Sequence, residues 1–428
     1  MNEHRDPCCA PSGAIDRRGF VRLSVGGYLG LLLGGRAAWA DEPRPAIQAA
    51  ESLIVLWLNG GPSHLDTWDP KPGTPEGGPT KAIKTSAKGV EIAEYFPRMA
   101  EQMHRVSLVR GMSTKEGNHQ RARYYLHTGY VPSGTVAHPD LGALVCQQRA
   151  GSDLELPPYV AISGATPGPG ALGVGLAPFT VQDPTKPVAN LAYPSGVDAA
   201  RFARRRDLLS QLTRGFVSAH PGPETDGHEA VYARADRLIH SPRAKAFDVA
   251  SEPQAVREAY GTSKFGTGCL MARRLIEEGV RVVEVQLNGW DTHKDNFNRL
   301  KKLGGELDQG FAALLADLAE RGRLEKTVVL CMGEFGRTPR INADEGRDHF
   351  AKAWSLAIAG GPIRGGQVVG ATSSDGTKVL ERPVGVPELV ATVCQSMGLD
   401  RQRVNNTPQG RPISVVDQDA PPIGELFG

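Results

Sequence analysis

The chain has few cysteines, and outside its N-terminal segment none of them forms a close-spaced pair. Cys8 and Cys9 lie in that segment, and the other four of the six stand far apart at Cys146, Cys269, Cys331 and Cys394. Structural zinc–thiolate sites are built from cysteines only a few residues apart, so the spacing argues against such a site. An oxidising compartment would allow a disulfide, but the spacing identifies no pair.

The chain also lacks an excess of charge of either sign. Its formal net charge is +2, and outside residues 1–40 it has 44 basic and 44 acidic side chains. Nucleic-acid-binding domains concentrate lysine and arginine on one face, and no comparable stripe is present. The run Arg204-Arg205-Arg206-Asp207 is expected to be a solvated helix face. Nucleic acid is therefore not an expected partner.

A long hydrophobic run is missing as well. The apolar stretch from Leu23 to Leu33 is Gly-rich and about eleven residues long, whereas a transmembrane helix needs roughly 20. It follows the pair Arg17-Arg18 and precedes the small residues around Ala40. This order predicts a twin-arginine export signal over residues 1–40, cleaved after Ala40. We therefore expect a periplasmic or otherwise exported protein without a stable membrane anchor.

What the sequence does contain is a set of apolar runs that lead into Gly-rich turns with histidines and carboxylates. Runs of about six apolar residues bounded by Gly and Pro are typical of strands buried on both faces. In an open parallel sheet, ligands bind at the carboxyl ends of the strands. The turns are therefore expected to build one metal site from four segments: Leu53–Leu58 leading into Asn59–Asp66, Val280–Leu287 leading into Asn288–His293, Thr327–Met332 leading into Gly333–Arg337, and Gly346–Phe350.

Strands alternate with helical patterns along the chain, which predicts an α/β fold: a doubly wound, mostly parallel sheet sandwiched by helices. We expect one domain over residues 41–428, with a helical insertion around residues 197–279. The Gly/Pro-rich segment Pro157–Pro194 is expected to line a surface or a cleft, and the tail from Asn405 to lie on the surface. Further elements are expected as a strand at Val106–Val109, a helix with an inner stripe from Ile92 to Met103, a helix at Gly305–Arg321, a strand at Ala353–Ala359 and a closing helix at Pro387–Met397.

Two His/carboxylate pairs are candidate metal ligands. Asp291 and His293 are two residues apart, so on an extended segment both side chains reach the same ion; the alternative is a plain turn with an Asp cap. His64 and Asp66 have the same spacing, and the pattern does not say which of them points inward. Mixed histidine and carboxylate ligands suit zinc or manganese, or calcium if oxygens dominate.

Two further candidate ligands have structural alternatives. Glu334 follows a predicted buried strand and could pair with Arg337 instead of binding a metal. His349 could be an ordinary structural histidine. His119 is expected at the same edge of the sheet, because the strand that ends near Arg110 should run parallel to those that end at Leu58 and Met332. Asn118 is a suitable N-cap for a helix that begins at His119. The alternative is a histidine that only packs beneath the Gly-rich loop.

Three motifs, taken in order with the twin-arginine signal, resemble the bacterial family called domain of unknown function 1501. They are Asn59-Gly60-Gly61-Pro62-Ser63-His64-Leu65-Asp66, Gly289-Trp290-Asp291-Thr292-His293 and Gly333-Glu334-Phe335-Gly336-Arg337. The resemblance covers nearly all of residues 41–428. The family in turn resembles a branch of the alkaline phosphatase and sulfatase superfamily. This implies an alkaline-phosphatase-like α/β fold with one or two metal ions at the strand ends.

The superfamily pattern is altered at three positions. Asn59 stands where phosphatases and sulfatases carry an Asp, and Phe335 replaces a ligand His. Alignment with the sulfatase nucleophile helix places His119 at the nucleophile and Arg123 at the helix arginine. Because no cysteine stands there, sulfatase chemistry through formylglycine is not expected. A phosphatase nucleophile could still come from Ser113, Thr114, His119 or a metal-activated water.

Two classes of function follow from these observations. The first is an exported, metal-dependent hydrolase of phosphate or sulfate esters, acting on a small molecule or a glycan, in which Arg337 or Arg123 neutralises charge on the anion. The second is a catalytically degenerate relative that binds an anionic glycan or an envelope partner through the same cleft. The Asp/His/Glu set favours the enzyme, whereas Asn59, Phe335 and the missing sulfatase nucleophile favour the binder. Fold alone does not decide between them.

Overall fold

The structure is a computed structural model that describes residues 48–149, 151, 154–220, 222–417 and 420–427. The predicted signal over residues 1–40 lies outside these residues. Within the described ranges, no helix is both long enough and apolar enough to cross a membrane. The four cysteines of this part are free and buried.

One eight-stranded sheet forms the centre of the molecule. In chain order its strands are β1 (Ser52–Asn59), β2 (Val106–Met112), β3 (Tyr159–Ile162), β4 (Phe179–Val181), β5 (Val282–Asn288), β6 (Thr327–Met332), β7 (Trp354–Ala359) and β8 (Val368–Val369). They are arranged in the order β8-β2-β7-β6-β1-β5-β3-β4. β7 runs antiparallel to its neighbours β2 and β6, and the other pairs are parallel. The mostly parallel sheet that the sequence predicts is confirmed.

Helices cover both faces of the sheet. The α-helices are α1 (Pro97–Gln102), α2 (His119–Thr128), α3 (Leu141–Arg149), α4 (Ala199–Ala219), α5 (Pro223–His240), α6 (Gln254–Tyr260), α7 (Lys264–Glu277), α8 (Asn296–Glu320) and α9 (Val386–Ser396). Short 3-10 turns lie at Met103–Arg105, Gly170–Leu172, Val174–Leu176, Pro242–Phe247, Val249–Ser251, Leu324–Lys326 and Gly424–Leu426.

The described residues also form four short two-stranded ladders outside the main sheet. They pair Ala82–Lys84 with Glu91–Ala93, Gly336–Arg337 with His349–Phe350, Ala371–Thr372 with Val379–Glu381, and Val404–Asn406 with Pro412–Ser414.

Alternate residues of β1 enter two separate cores, which explains why the strand is apolar throughout. Ile54, Leu56 and Leu58 pack with α7 and α8 on one face, in a core that includes Leu270 and Phe311. Leu53, Val55 and Trp57 pack with α2, α3 and α9 on the other face. Each fully buried aliphatic side chain of this kind stabilises the fold by about 1.5–3 kcal/mol. A strand with both faces buried is therefore apolar along most of its length, as at Leu53–Leu58.

Several predicted boundaries differ from the structure. The helix expected from Ile92 begins only at Pro97, whose fixed φ suits the first helical position, and Ile92 lies in a short strand. Ile92 and Met103 are nevertheless fully buried, as core residues should be. The helix expected from Gly305 begins at Asn296. Gly304 lies inside it, where it lets α8 pack closely against Tyr95, since an added Cβ would lie 2.9 Å from the tyrosine Cβ.

Two segments expected at the surface contribute in part to the core. Pro157–Pro194 supplies β3 and β4 of the main sheet, while most of its residues outside these two strands are exposed or half-buried. The tail beyond Asn405 buries its apolar side chains, namely Ile413, Val415, Val416, Ile423 and Leu426. Because these short apolar runs are flanked by Gly and Pro, composition alone does not identify them as strands or core segments.

Candidate metal centre

Three imidazole rings contact the carboxylate of Asp291. Its Oδ1 lies 3.1 Å from Nε2 of His293, 3.4 Å from Nε2 of His349 and 3.5 Å from Nε2 of His119. The Nε2 atoms of His293 and His349 are 3.0 Å apart. The ligand atoms of His119, Asp291 and His349 all lie within 4.8 Å of one another. We call these four residues the His/Asp cluster.

The four members of the His/Asp cluster come from three segments at the carboxyl edge of the sheet. Asp291 and His293 follow β5, His119 is the first residue of α2, and His349 lies in the small ladder that pairs it with Arg337. The predicted helix start at His119 is confirmed, since the Asn118 side chain accepts a hydrogen bond from Arg121 N at 3.2 Å.

Close backbone contact at this edge requires glycine at position 60. Its φ is +117°, and a Cβ added there would lie 2.3 Å from the backbone nitrogen of Asp291. No other residue type could let the turn after β1 approach the turn that carries Asp291 so closely.

The second ring nitrogen of every histidine in the cluster is held by an acceptor. Nδ1 of His119 lies 2.7 Å from Oε1 of Glu334, Nδ1 of His293 lies 2.8 Å from Oδ1 of Asp348, and Nδ1 of His349 lies 2.8 Å from the Gly117 carbonyl. Because these oxygens accept, Nδ1 carries the proton and Nε2 presents a lone pair in each neutral ring. Such acceptors are what orients metal-binding histidines in proteins.

The spacing of the Nε2 atoms fits a metal ion. Nitrogen and oxygen ligands placed tetrahedrally about 2.0–2.1 Å from one zinc ion are about 3.3 Å apart, close to the 3.0–3.5 Å separations here. Within the described structure, Nε2 of His119 is buried and has no hydrogen-bond partner. Lone pairs and a carboxylate that converge without a donor between them repel each other, and a bound cation would remove that repulsion.

The pKa values of the cluster members shift in different directions. The hydrogen bond that His119 donates to Glu334 outweighs partial burial and raises the pKa of His119. Burial lowers the pKa of His349 and keeps it neutral. Burial opposes ionisation of Asp291, but the hydrogen bond and charge of Arg337 outweigh it and lower the pKa of this carboxyl. A charged carboxylate beside a neutral imidazole is the form in which both bind metals.

Arg337 contacts Asp291 from the protein interior and is not free to bind a substrate. It is fully buried, and its guanidinium donates to Asp291 Oδ1 at 2.5 Å and to the Gly61 carbonyl at 2.9 Å. It also donates to the Gly60 carbonyl and to the Arg347 carbonyl. The expectation that Arg337 neutralises charge on a substrate anion does not agree with this geometry, since its donors are already used.

Glu334 orients His119 rather than joining the ligand atoms. Its Oε1 lies 2.7 Å from Nδ1 of His119 and accepts from the Gly60 backbone N–H at 2.9 Å. The side chain is 1% exposed, and in the described part of the chain its Oε2 has no partner. The alternative expected from sequence, an ion pair with Arg337, is not the contact that Glu334 makes.

His64 and Asp66 lie in the core, away from the ligand atoms. Asp66 is fully buried and forms a two-pronged ion pair with Arg347, through contacts of 2.7 and 3.3 Å. Thr80 and Asn296 donate to the same carboxylate at 2.7 and 3.1 Å. Nε2 of His64 lies 2.9 Å from the Gly376 carbonyl, and burial lowers the pKa of this histidine to about 4. The donors around Asp66 leave its carboxylate no room for a metal, which corrects the expectation for this residue.

The remaining catalytic candidates lie close to the start of α2. Arg123 is one turn beyond His119, donates to the Ala165 carbonyl and lies 5.9 Å from the centre of the Trp57 ring. The Thr114 hydroxyl is buried and has no partner among the described residues. The backbone N–H of Ser113 donates to the Val384 carbonyl at 3.0 Å.

The residues that depart from the superfamily pattern have defined positions. Phe335 is fully buried, and its ring centre lies 4.9 Å from that of His119 and 4.7 Å from that of His349. It forms the apolar wall behind both imidazoles. The Asn59 side chain donates to the Asn288 side chain at 2.9 Å, so it tethers two neighbouring strand ends.

Sequence reasoning missed the groups that orient two of the histidines. Asp348 precedes His349 in the chain but contacts His293, while the backbone of Gly117 holds His349. A carboxylate next to a histidine was the available signal for Asp348. A backbone carbonyl leaves no signal in a sequence.

Comparisons with known proteins agree with the sequence resemblance. The family described as "Protein of unknown function (DUF1501)" matches residues 50–427. No curated protein matches the chain. Similar solved structures include the lipoteichoic acid synthase LtaP from Listeria monocytogenes, at 8% identity and TM-score 0.36, covering 84% of this chain and 75% of that one.

Two other solved structures are similarly distant. A sulfatase from Pseudoalteromonas sp. has 12% identity and TM-score 0.38, covering 90% of this chain and 72% of its own. The alkaline phosphatase from the Antarctic bacterium TAB5 has 10% identity and TM-score 0.39, covering 83% of this chain and 99% of its own. Similarity this distant does not bear on the activity or the ligands of this chain.

Proposed function

This chain belongs to the DUF1501 family, and we propose that it is a metal-dependent hydrolase of phosphate or sulfate esters, exported by the twin-arginine route. The observation that carries the proposal is the His/Asp cluster. Three Nε2 atoms converge on one carboxylate oxygen, and each imidazole is oriented through Nδ1 by a protein acceptor.

His119, Asp291 and His349, whose ligand atoms all lie within 4.8 Å of one another, would hold the ion. His293, which contacts Asp291 and His349, would be an additional ligand. Three nitrogens with one carboxylate favour zinc or manganese over calcium, which prefers oxygen ligands. A divalent ion bound there supplies Lewis acidity, lowering the pKa of water and polarising an ester oxygen.

The protein's own residues have separate tasks in this proposal. Glu334 holds the proton on Nδ1 of His119, so that Nε2 stays a lone pair facing the cluster. Arg337 fixes the position of Asp291 and keeps its carboxyl ionised. Phe335 excludes water from behind His119 and His349. The N-terminus of α2 at the cluster favours an anionic substrate group, since its first backbone N–H groups lack helical partners.

Phosphate is the better-supported ester. His119 stands at the position that aligns with the sulfatase nucleophile, and its side chain lies among the ligand atoms. A phosphatase can use an activated water instead of a covalent nucleophile. Arg123 is the remaining candidate for contact with the anion, and the Thr114 hydroxyl is a second polar group near the start of α2.

Metal analysis followed by an ester panel tests the proposal. The purified protein is expected to contain at least one tightly bound divalent ion per chain and to hydrolyse an aryl phosphate, with activity lost in chelator and restored by zinc or manganese. His119→Ala should abolish turnover and lower metal content while the melting temperature of the metal-free protein stays nearly unchanged. His104→Ala, which replaces an exposed histidine outside the cluster, is the matched control.

The second candidate is a binding protein that has lost catalysis, and one observation favours it. Arg337, the cation closest to the cluster, is fully engaged with Asp291 and backbone carbonyls, so less positive charge is free to stabilise a transition state. Metal-dependent binding of a sulfated or phosphorylated glycan, without hydrolysis of any ester in the panel, would support this candidate and contradict the enzyme.

A further inference from the structure

Helix α4 is placed on the outside of the molecule and has no buried side chain along its 21 residues. Its neighbour α5 makes the contact with the rest of the protein: Leu238 is 4% exposed, and Arg234 donates to the Ala177 carbonyl at 3.2 Å. α4 is joined to α5 by the ion pair between Arg206 and Asp236 at 3.4 Å. A helix of this length is rarely stabilised by propensity alone, so its outer surface calls for an explanation.

One side of α4 carries an exposed apolar stripe. Leu208, Leu212 and Phe216 are 58%, 65% and 58% exposed, and residues four apart lie on the same face of a helix. Single exposed leucines are ordinary on protein surfaces, but a continuous stripe marks an interaction site. Nothing in the catalytic proposal uses this stripe.

The same helix is strongly basic. It contains five arginines and one aspartate, namely Arg201, Arg204, Arg205, Arg206, Arg214 and Asp207. Arg201 and Arg205 precede Leu208 and Leu212 at helical spacing, so basic and apolar residues share one side. Because the chain outside residues 1–40 has equal numbers of basic and acidic side chains, this excess is local to α4.

The combination of charge and apolar surface restricts the partner. Pairing α4 with α4 of a second copy would cover the apolar stripe but leave most of the arginines without acidic partners, since α4 carries five arginines and one aspartate. A nucleic acid would satisfy the arginines but leave the leucines and Phe216 exposed. An anionic phospholipid surface satisfies both, since phosphate headgroups attract arginine and the acyl boundary accepts apolar side chains.

We propose that α4 is an interfacial helix through which the folded protein binds reversibly to anionic phospholipid membranes. Leu208, Leu212 and Phe216 enter the boundary between headgroups and acyl chains, and Arg201 and Arg205 contact lipid phosphates. This inference is independent of the metal centre, because none of these residues belongs to the His/Asp cluster.

Co-sedimentation of the full chain with vesicles tests this inference. Phosphatidylcholine vesicles containing phosphatidylglycerol as a minority component are compared with pure phosphatidylcholine vesicles. Two double variants are made on α4, Leu212→Glu/Phe216→Glu and Arg201→Glu/Arg205→Glu. Leu380→Glu is the matched apolar control, since Leu380 is 65% exposed like Leu212, and Lys301→Glu/Lys302→Glu reverses two exposed charges on α8. Residues 1–47 are common to all variants, so differences among them report α4.

We expect binding to the anionic vesicles only, weakening as salt shortens the Debye length below its value of about 8 Å at physiological ionic strength. Either α4 double variant should bind at least about tenfold more weakly, because one removes two apolar side chains from the acyl boundary and the other reverses two charges at the lipid phosphates. Both controls should bind like the unchanged protein, and all variants should keep its melting temperature and ester hydrolysis.

Three results would overturn the inference. The first is binding that is unaffected by both α4 variants, and the second is an equal loss of binding in the controls. The third is a concentration-dependent dimer, seen by light scattering, that Leu212→Glu/Phe216→Glu dissociates while vesicle binding is absent. That third result would assign the stripe to a second copy of the chain.

Discussion

The chain uses the same pattern twice, a histidine and an aspartate two residues apart in a Gly-rich turn after a buried strand, with opposite outcomes. Asp291 and His293 remain partly exposed, and their ligand atoms lie 3.1 Å apart in the His/Asp cluster. His64 and Asp66 are 1% and 0% exposed and make their contacts inside the core. The same residue types at the same spacing therefore occur either in the His/Asp cluster or in the buried scaffold beside it.

Partners elsewhere in the chain make this difference. Asp66 meets Arg347, whose backbone N–H donates to the Thr292 carbonyl and whose guanidinium donates to the Thr338 carbonyl. One buried arginine thus links the turn after β1 to the turns that carry Asp291 and Arg337. Asp291 also meets an arginine, Arg337, but keeps its Oδ1 in contact with three imidazoles.

The largest expected effect comes from breaking the core pair. Asp66→Asn leaves the fully buried Arg347 without its counter-ion, and loss of one partner of a buried ion pair costs about 3–5 kcal/mol. Urea unfolding of the metal-free protein measures this loss. Asp344→Asn, at an exposed aspartate paired with Lys294, should change the free energy of unfolding by less than about 0.5 kcal/mol. Equal stability of the two variants would contradict the assignment of Asp66 to the scaffold.

The second prediction concerns the aspartate of the open pair. Asp291→Asn should lower the urea midpoint of the metal-free protein much less than Asp66→Asn does, because Asp291 is 47% exposed and Arg337 keeps three backbone carbonyl acceptors. Metal affinity should fall by more than the roughly 10–100-fold typical of losing a group that only orients a ligand. Isothermal titration with zinc measures this affinity, with Asp344→Asn again as the control. Unchanged zinc binding would show that the cluster is not a metal centre.

The third prediction has a smaller expected effect and compares zinc binding after loss of each of the two carboxylates that orient histidines. Glu334→Gln should weaken zinc binding about 10–100-fold, since the buried Glu334 charge supports His119. Asp348→Asn should weaken it less than about tenfold, because Asp348 is 57% exposed and water screens its charge on His293. The reverse order of effects would mean that His293 contributes more to the site than His119.

The sequence predicts the fold better than the site. Runs such as Thr327–Met332 are strands at the predicted bounds, because burial on both faces favours a nearly continuous apolar run. The sequence also predicts β5 as an apolar run, yet it contains Glu284, which is 1% exposed and paired with His127 at 3.0 Å. The partner of a buried charge lies far away in the chain, so local pattern cannot reveal it.

The same limit explains the errors at the site. Residue type and spacing identified His119, Asp291, His293 and His349, which the structure brings together. They could not show that Asp66 would be saturated by Arg347, or that Arg337 would be buried beneath Asp291, because both outcomes depend on contacts between distant turns.

The smallest predicted effect is a pH dependence of stability contributed by His64. Burial lowers the pKa of this histidine to about 4, against 6.5 in an unfolded chain. As the pH falls from neutral toward 4, the unfolded state takes up a proton at this position before the folded state does, so stability is lost across that window. Between about pH 7 and about pH 5.5, this histidine should lower the free energy of unfolding by about 1 kcal/mol.

His64→Gln keeps a donor for the Gly376 carbonyl but cannot be protonated, so its unfolding free energy, measured in urea with chelator present, should fall less steeply over this range. His104→Ala, at an exposed histidine, should follow the unchanged protein. Parallel pH profiles for the His64→Gln variant and the unchanged chain would mean that His64 is not held neutral in the core, and the contrast between the two His/Asp pairs would then rest on Asp66 alone.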